Sequence, residues 1–72
     1  MDEAQFEEIA GRCRDNLFAI AFQYTRNAAD ADDMVQIALM KYFQAKKPFE
    51  NEQHIRRWLI RVTINECKRY LV

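Results

Sequence analysis

The chain has no serine, one glycine and one proline. The missing serine removes the commonest hydroxyl nucleophile. The single histidine, His54, lies far in sequence from both cysteines, Cys13 and Cys67, so no nucleophilic triad can be assembled from neighbouring residues. Gly11 stands alone and cannot form a glycine-rich phosphate cradle. With so few backbone breakers, long uninterrupted helices are the cheapest account of the chain. The cysteines have no metal-ligand spacing and fall in apolar-periodic segments. They read as buried thiols of a cytosolic protein, with a disulfide left open because the first and last helices can pack together. No segment is apolar over the length a bilayer requires, and the acidic N-terminus lacks a signal-peptide pattern. The expectation is a cytoplasmic protein without membrane contact of its own.

What is present is a compact apolar budget and a divided charge. Half the residues are apolar, enough for a core in one small domain. A domain of this size buries about 60% of its extended surface, so its stability margin is thin. The formal net charge is zero. Residues 1–33, however, carry eight acidic and three basic side chains, and residues 34–72 carry three acidic and eight basic ones. Binding to nucleic acid through bulk charge alone is therefore disfavoured. A protein-facing acidic half and a basic half that approaches phosphates fit the division.

Periodicity predicts an all-α fold, a small bundle of three main helices, with room for a short extra helical turn before the last. Phe6, Ile9, Ala10, Cys13, Leu17, Ile20, Ala21 and Tyr24 mark one face of a helix over about residues 3–25. Gly11 lies inside it, at a close helix crossing or a local irregularity. Asn27 suits the C-terminal end of that helix or the N-cap of the next. The second helix runs to about residue 45. Ala31, Val35, Ala38, Leu39 and Tyr42 form its stripe, widened by Met34, Ile37 and Phe43. So much apolar surface implies either a central helix or a partner contact. Lys46, Lys47 and Pro48 stop it. After a connection that starts at Phe49, with Asn51 or Glu52 just before the last helix, Ile55, Trp58, Leu59, Val62 and Cys67 face inward. Ile64 and Leu71 lie beside them.

Several residues invite a functional reading beside a plainer one. Asp30, Asp32 and Asp33 lack the alternating pattern and closing glutamate of a calcium loop, so they read as a solvated or partner-facing acidic turn. Neither metal nor cofactor is expected, and nothing supports an enzyme. His54 is either an exposed residue at a helix start or a contact to a base or phosphate. Trp58 serves the core, and its ring is large enough also to touch a base or sugar. Asn65 is either a surface amide or a hydrogen-bonding group for nucleic acid. Phe49 reads as a plug that holds the polar run of residues 50–53 in shape, and such a loop can receive an unstacked base.

The run Asp30-Ala31-Asp32-Asp33-Met34-Val35-Gln36 continues through Ile37-Ala38-Leu39-Met40-Lys41-Tyr42-Phe43 to Phe49. It is completed by Ile55-Arg56-Arg57-Trp58-Leu59-Ile60-Arg61-Val62-Thr63-Ile64-Asn65. This combination resembles conserved region 2 of bacterial RNA polymerase sigma factors of the extracytoplasmic function type. Leu17 to Ala21, Tyr24 and Asn27 resemble its first part. The resemblance implies that the second helix docks on the clamp helices of the polymerase largest subunit through Asp33 and Gln36, supported by Asp30 and Met40. It implies that the loop of residues 49–54, with Asn51, Gln53 and His54, takes a flipped non-template base of the promoter −10 element. Arg56, Arg57, Arg61, Asn65 and Lys68 of the last helix would then face single-stranded promoter DNA. Leu17, Val35, Leu39, Phe49, Trp58, Leu59 and Val62 would hold the core.

The chain departs from the family pattern in three ways. Arg69 stands where many members carry an aspartate, the strongly basic stretch usual in the family is not among these residues, and Glu50 and Glu52 lie close to the expected base pocket. The linker and the region that reads the −35 element are expected elsewhere in a longer protein. An anti-sigma factor is a further possible partner. The competing reading is a small helical interaction module, an adaptor or regulatory partner without sequence-specific DNA binding.

Overall fold

The computed structural model describes the backbone of residues 3–71 and the side chains of residues 4–71. These form three helices: α1 (Glu3–Thr25), α2 (Ala28–Gln44) and α3 (Glu52–Leu71). There is no strand among the described residues. Each helix packs on the other two. Phe6, near the start of α1, meets Tyr42 and Phe43 near the end of α2, so these helices are antiparallel. Tyr70 at the end of α3 meets Asp30 at the start of α2, so α2 and α3 are antiparallel as well.

Two asparagines set the helix starts. Asn27 has extended backbone, and its Oδ1 accepts from the Asp30 amide at 2.9 Å, so it is the N-cap of α2. The reversal before it falls on Arg26, whose φ of 54° lies in the left-handed region. Asn51 repeats the device for α3, with its Oδ1 accepting from the His54 amide at 2.9 Å. His54 answers through Nδ1, which accepts from the Glu50 amide at 3.2 Å. This reciprocal bonding resembles a capping box shifted by one residue. It orders residues 50–51 as a bend, and the extra helical turn expected before α3 does not form.

The core is built from Cys13, Leu17 and Ala21 of α1, Ala31, Val35, Ala38 and Tyr42 of α2, and Leu59, Thr63 and Cys67 of α3, each essentially inaccessible to solvent. Leu39 is also buried, and Phe49, Trp58 and Val62 pack half-buried against this cluster. Ala10, Ala21, Ala31 and Ala38 are buried with them. Burial lifts the Cys13 and Cys67 thiols above the usual range, and both are free. Arg12, beside Cys13, bonds to Glu52, and from Glu52 to Cys67 the helix rises roughly 22 Å. The two thiols therefore lie at different heights in the bundle, beyond disulfide reach.

Three expectations need correction. Gly11 is exposed and a Cβ there would meet nothing within 4 Å, so it marks no close crossing. Leu71 is exposed instead of lying beside the core. Ile37 and Phe43 do not widen the buried stripe of α2; both are exposed, so that helix is not buried all round. Thr63 and Glu66 take inward places that the apolar pattern did not mark.

Candidate functional site

Two surfaces emerge. The first lies on the outer side of α2. Asp33, Gln36, Ile37, Met40 and Phe43 recur at three- and four-residue steps and are all exposed, Met40 and Phe43 at 60% each. Their neighbour is a groove of about 350 Å³ between α1 and α2, lined by Phe6, Leu39, Met40 and Phe43, with Glu7, Arg14 and Gln36 at its polar edge. Gln36 donates to Asp32 at 3.3 Å, and Asp33 stands open to solvent. Asp30 is placed differently. It is half-buried, and its carboxylate accepts the Tyr70 hydroxyl at 2.5 Å, so it ties α2 to α3.

The second surface combines the loop of residues 45–51 with α3. Phe49 fills the gap under the loop. Its ring packs edge-on to Tyr42, His54 and Trp58 at 5.8, 5.2 and 5.5 Å, and Lys47 lies over it at 5.9 Å. Beside this plug opens a cavity of about 550 Å³ whose walls are the loop (Lys47, Phe49, Glu50, Asn51) and α1 (Glu8, Arg12), with Glu52 between them. Glu52, the first residue of α3, is held by Arg12 from α1 through two bonds, Nε to Oε2 at 2.9 Å and Nη2 to Oε1 at 2.6 Å. The Arg12 bond holds the Glu52 carboxyl below the usual carboxylate range against the opposing effect of desolvation. The Arg12 guanidinium is stabilised in turn by Glu52 and by Glu8 at 3.0 Å.

Along α3, Gln53, Arg57, Arg61, Asn65 and Lys68 form one exposed ridge. Among the described residues Arg57, Arg61 and Lys68 have no acidic partner within ion-pair distance. The other cations of the helix are engaged. Arg56 is half-buried and approaches Glu52 at 3.9 Å, and Arg69 approaches Glu66 at 3.6 Å. Glu66 is almost fully buried and also receives Lys41 from α2. His54 is half-buried, with Nδ1 committed to the loop. Trp58 is half-buried on Tyr42 and Phe49, and thus buttresses the loop.

The structure thus gathers Asn51 at the cavity and Gln53, Arg57, Arg61, Asn65 and Lys68 on the adjoining helix, with Arg56 half-buried beside Glu52. Arg12 was missed because no local pattern announces a contact forty residues away. Glu66 was missed because a carboxylate is read as exposed until its partners are known. No group of residues able to hold a metal is found among the described residues, and none of their helices is long and apolar enough to cross a membrane.

Comparison with known proteins bears on this arrangement. The family model of sigma-70 region 2 matches residues 9–72. The chain is 25% identical over 71 residues to the RNA polymerase sigma-H factor of Pseudomonas aeruginosa, covering 99% of this chain and 37% of that protein. It is 33% identical over 54 residues to the ECF RNA polymerase sigma factor SigG of Mycobacterium tuberculosis, covering 75% of this chain and 15% of that protein. The chain therefore spans well under half the length of these relatives. No solved structure matches it.

Proposed function

The chain belongs to the sigma-70 region 2 family, and from that premise we propose that it is the −10 recognition domain of an extracytoplasmic-function sigma factor. It acts in the cytoplasm, without catalysis, as one part of a longer protein that supplies a linker and a −35-reading region. The α2 surface docks on the clamp helices of the polymerase largest subunit, with Asp33, Gln36 and Met40 in contact and Asp30 shaping the turn. The loop cavity receives an unstacked base of the non-template strand, and the α3 ridge follows that strand's backbone. An anti-sigma factor would act by covering these surfaces.

One observation carries this reading. Arg57, Arg61 and Lys68 line up on one ridge without acidic partners among the described residues, although such like-charge neighbours on a helix repel. A phosphate backbone is the anion that this spacing suits. Asn65, in the same row, offers an amide to a base edge or sugar. The interaction-module alternative is not favoured, since the family match runs through both the α2 and the α3 surface.

The test measures two bindings separately. A fragment bearing the polymerase clamp helices and a panel of short single-stranded DNAs are each titrated with the chain. Asp33→Ala and Gln36→Ala should weaken only the first, and Arg61→Ala and Asn65→Ala only the second. If no variant separates the two bindings, or neither ligand binds, the assignment fails.

A further inference from the structure

We propose that Arg12 of α1 is a positioning residue for base recognition, setting the shape and charge of the loop cavity through Glu52. This rests on the base-capture reading above and extends it to a helix that carries none of the ridge residues.

The cavity lies between the loop and α1. One wall is the loop, and the facing wall is Glu8 and Arg12. Arg12 joins the walls because its guanidinium uses both oxygens of Glu52, at 2.9 and 2.6 Å, and reaches Glu8 at 3.0 Å. A two-point fork fixes orientation as well as distance. Glu52 directly follows the cap Asn51 and the bend at Glu50, which His54 orders from the same helix turn, so the fork ties this ordered corner to α1. Arg12 also offsets one unit of the negative charge that Glu8 and Glu52 place beside the cavity. As a stabilising contact the fork is worth little, because both side chains are well exposed. Its value lies in what it holds in place.

The test uses the full 72-residue chain and a strand selected from random single-stranded DNA for tight binding. That strand is resynthesised with an abasic site at each position in turn. The captured base is the one whose removal costs most. Arg12→Lys keeps the charge but loses the fork. We expect it to bind the abasic strand as well as the wild type does, while its preference for the intact strand falls about tenfold. The double change Arg12→Glu with Glu52→Arg, which rebuilds the fork with ends exchanged, should restore much of that preference. Thermal unfolding should place all variants within a few degrees of the wild type.

If Arg12→Lys weakens intact and abasic strands equally, Arg12 is a backbone contact or a general support, and the proposal is overturned. If Arg12→Lys retains the full preference, the fork is irrelevant and the proposal again fails. If the wild type itself does not distinguish intact from abasic strands at any position, the base-capture reading fails and this proposal with it.

Discussion

The Tyr70 hydroxyl donates to the Asp30 carboxylate at 2.5 Å, closing the last turn of α3 onto the first turn of α2. This bond raises the Tyr70 pKa above its ordinary value of 10.0. A phenol whose folded-state pKa is raised stabilises the fold fully below the unfolded value and ceases to do so as pH climbs through the folded one. Tyr70→Phe should therefore lower the urea midpoint slightly at neutral pH. The gap between variant and wild type should close above about pH 10. A gap that stays constant through that range would refute the coupling.

Glu66 and Lys41 make the second tie between α2 and α3. Glu66 is nearly buried, whereas Lys41 is 44% exposed, so solvent screens part of the attraction. Lys41→Met leaves the carboxylate with the longer Arg69 contact at 3.6 Å and should cost about 1–2 kcal/mol. Adding Glu66→Met should recover part of that loss. A double-mutant cycle by urea denaturation measures the coupling, and strictly additive effects would contradict it.

Two backbone positions offer stabilisation. Gly11 is exposed within α1 with open space at its Cβ position, so Gly11→Ala should add about 0.5–1 kcal/mol. Arg26 holds a left-handed φ of 54° without being glycine, and Arg26→Gly should relieve part of a strain of about 1 kcal/mol. Calorimetric melting should show both variants above the wild type.

The α3 ridge makes a quantitative claim about salt. Removing one phosphate contact from a single strand lowers the slope of log affinity against log salt by about 0.7. Arg57→Ala, Arg61→Ala and Lys68→Ala should each show this change. Asn65→Ala should weaken binding at an unchanged slope, and Arg56→Ala, drawn towards Glu52, should change the slope least. Titrations at four or more salt concentrations distinguish these cases.

The fold was largely legible because periodicity reports burial. The row of Leu17, Val35, Leu39 and Leu59 lies inside as the spacing of apolar residues demands. The alignment of Arg57, Arg61 and Lys68 follows from helix geometry alone, which sets residues four and seven apart on one face. Asn27 could be narrowed only to two roles, because an asparagine suits either end of a helix until its backbone angles are known. Glu66 is charged yet buried because its partner Lys41 is remote in sequence, and Ile37 and Phe43 are apolar yet exposed, which the apolar pattern of one helix does not report. Arg12 illustrates the limit most fully. A residue whose neighbours are set by how two helices stack carries no mark in its own segment.

The asparagine caps have a kinetic consequence. Each turn of the bundle is specified by side-chain bonds that span three residues, Asn27 to Asp30 and Asn51 to His54. Little loop entropy is lost before these contacts form, and α1–α2 and α2–α3 are joined by short links. A chain so rich in local contacts folds in microseconds to milliseconds. Its α2 and α3 surfaces are therefore assembled as fast as the bundle itself folds.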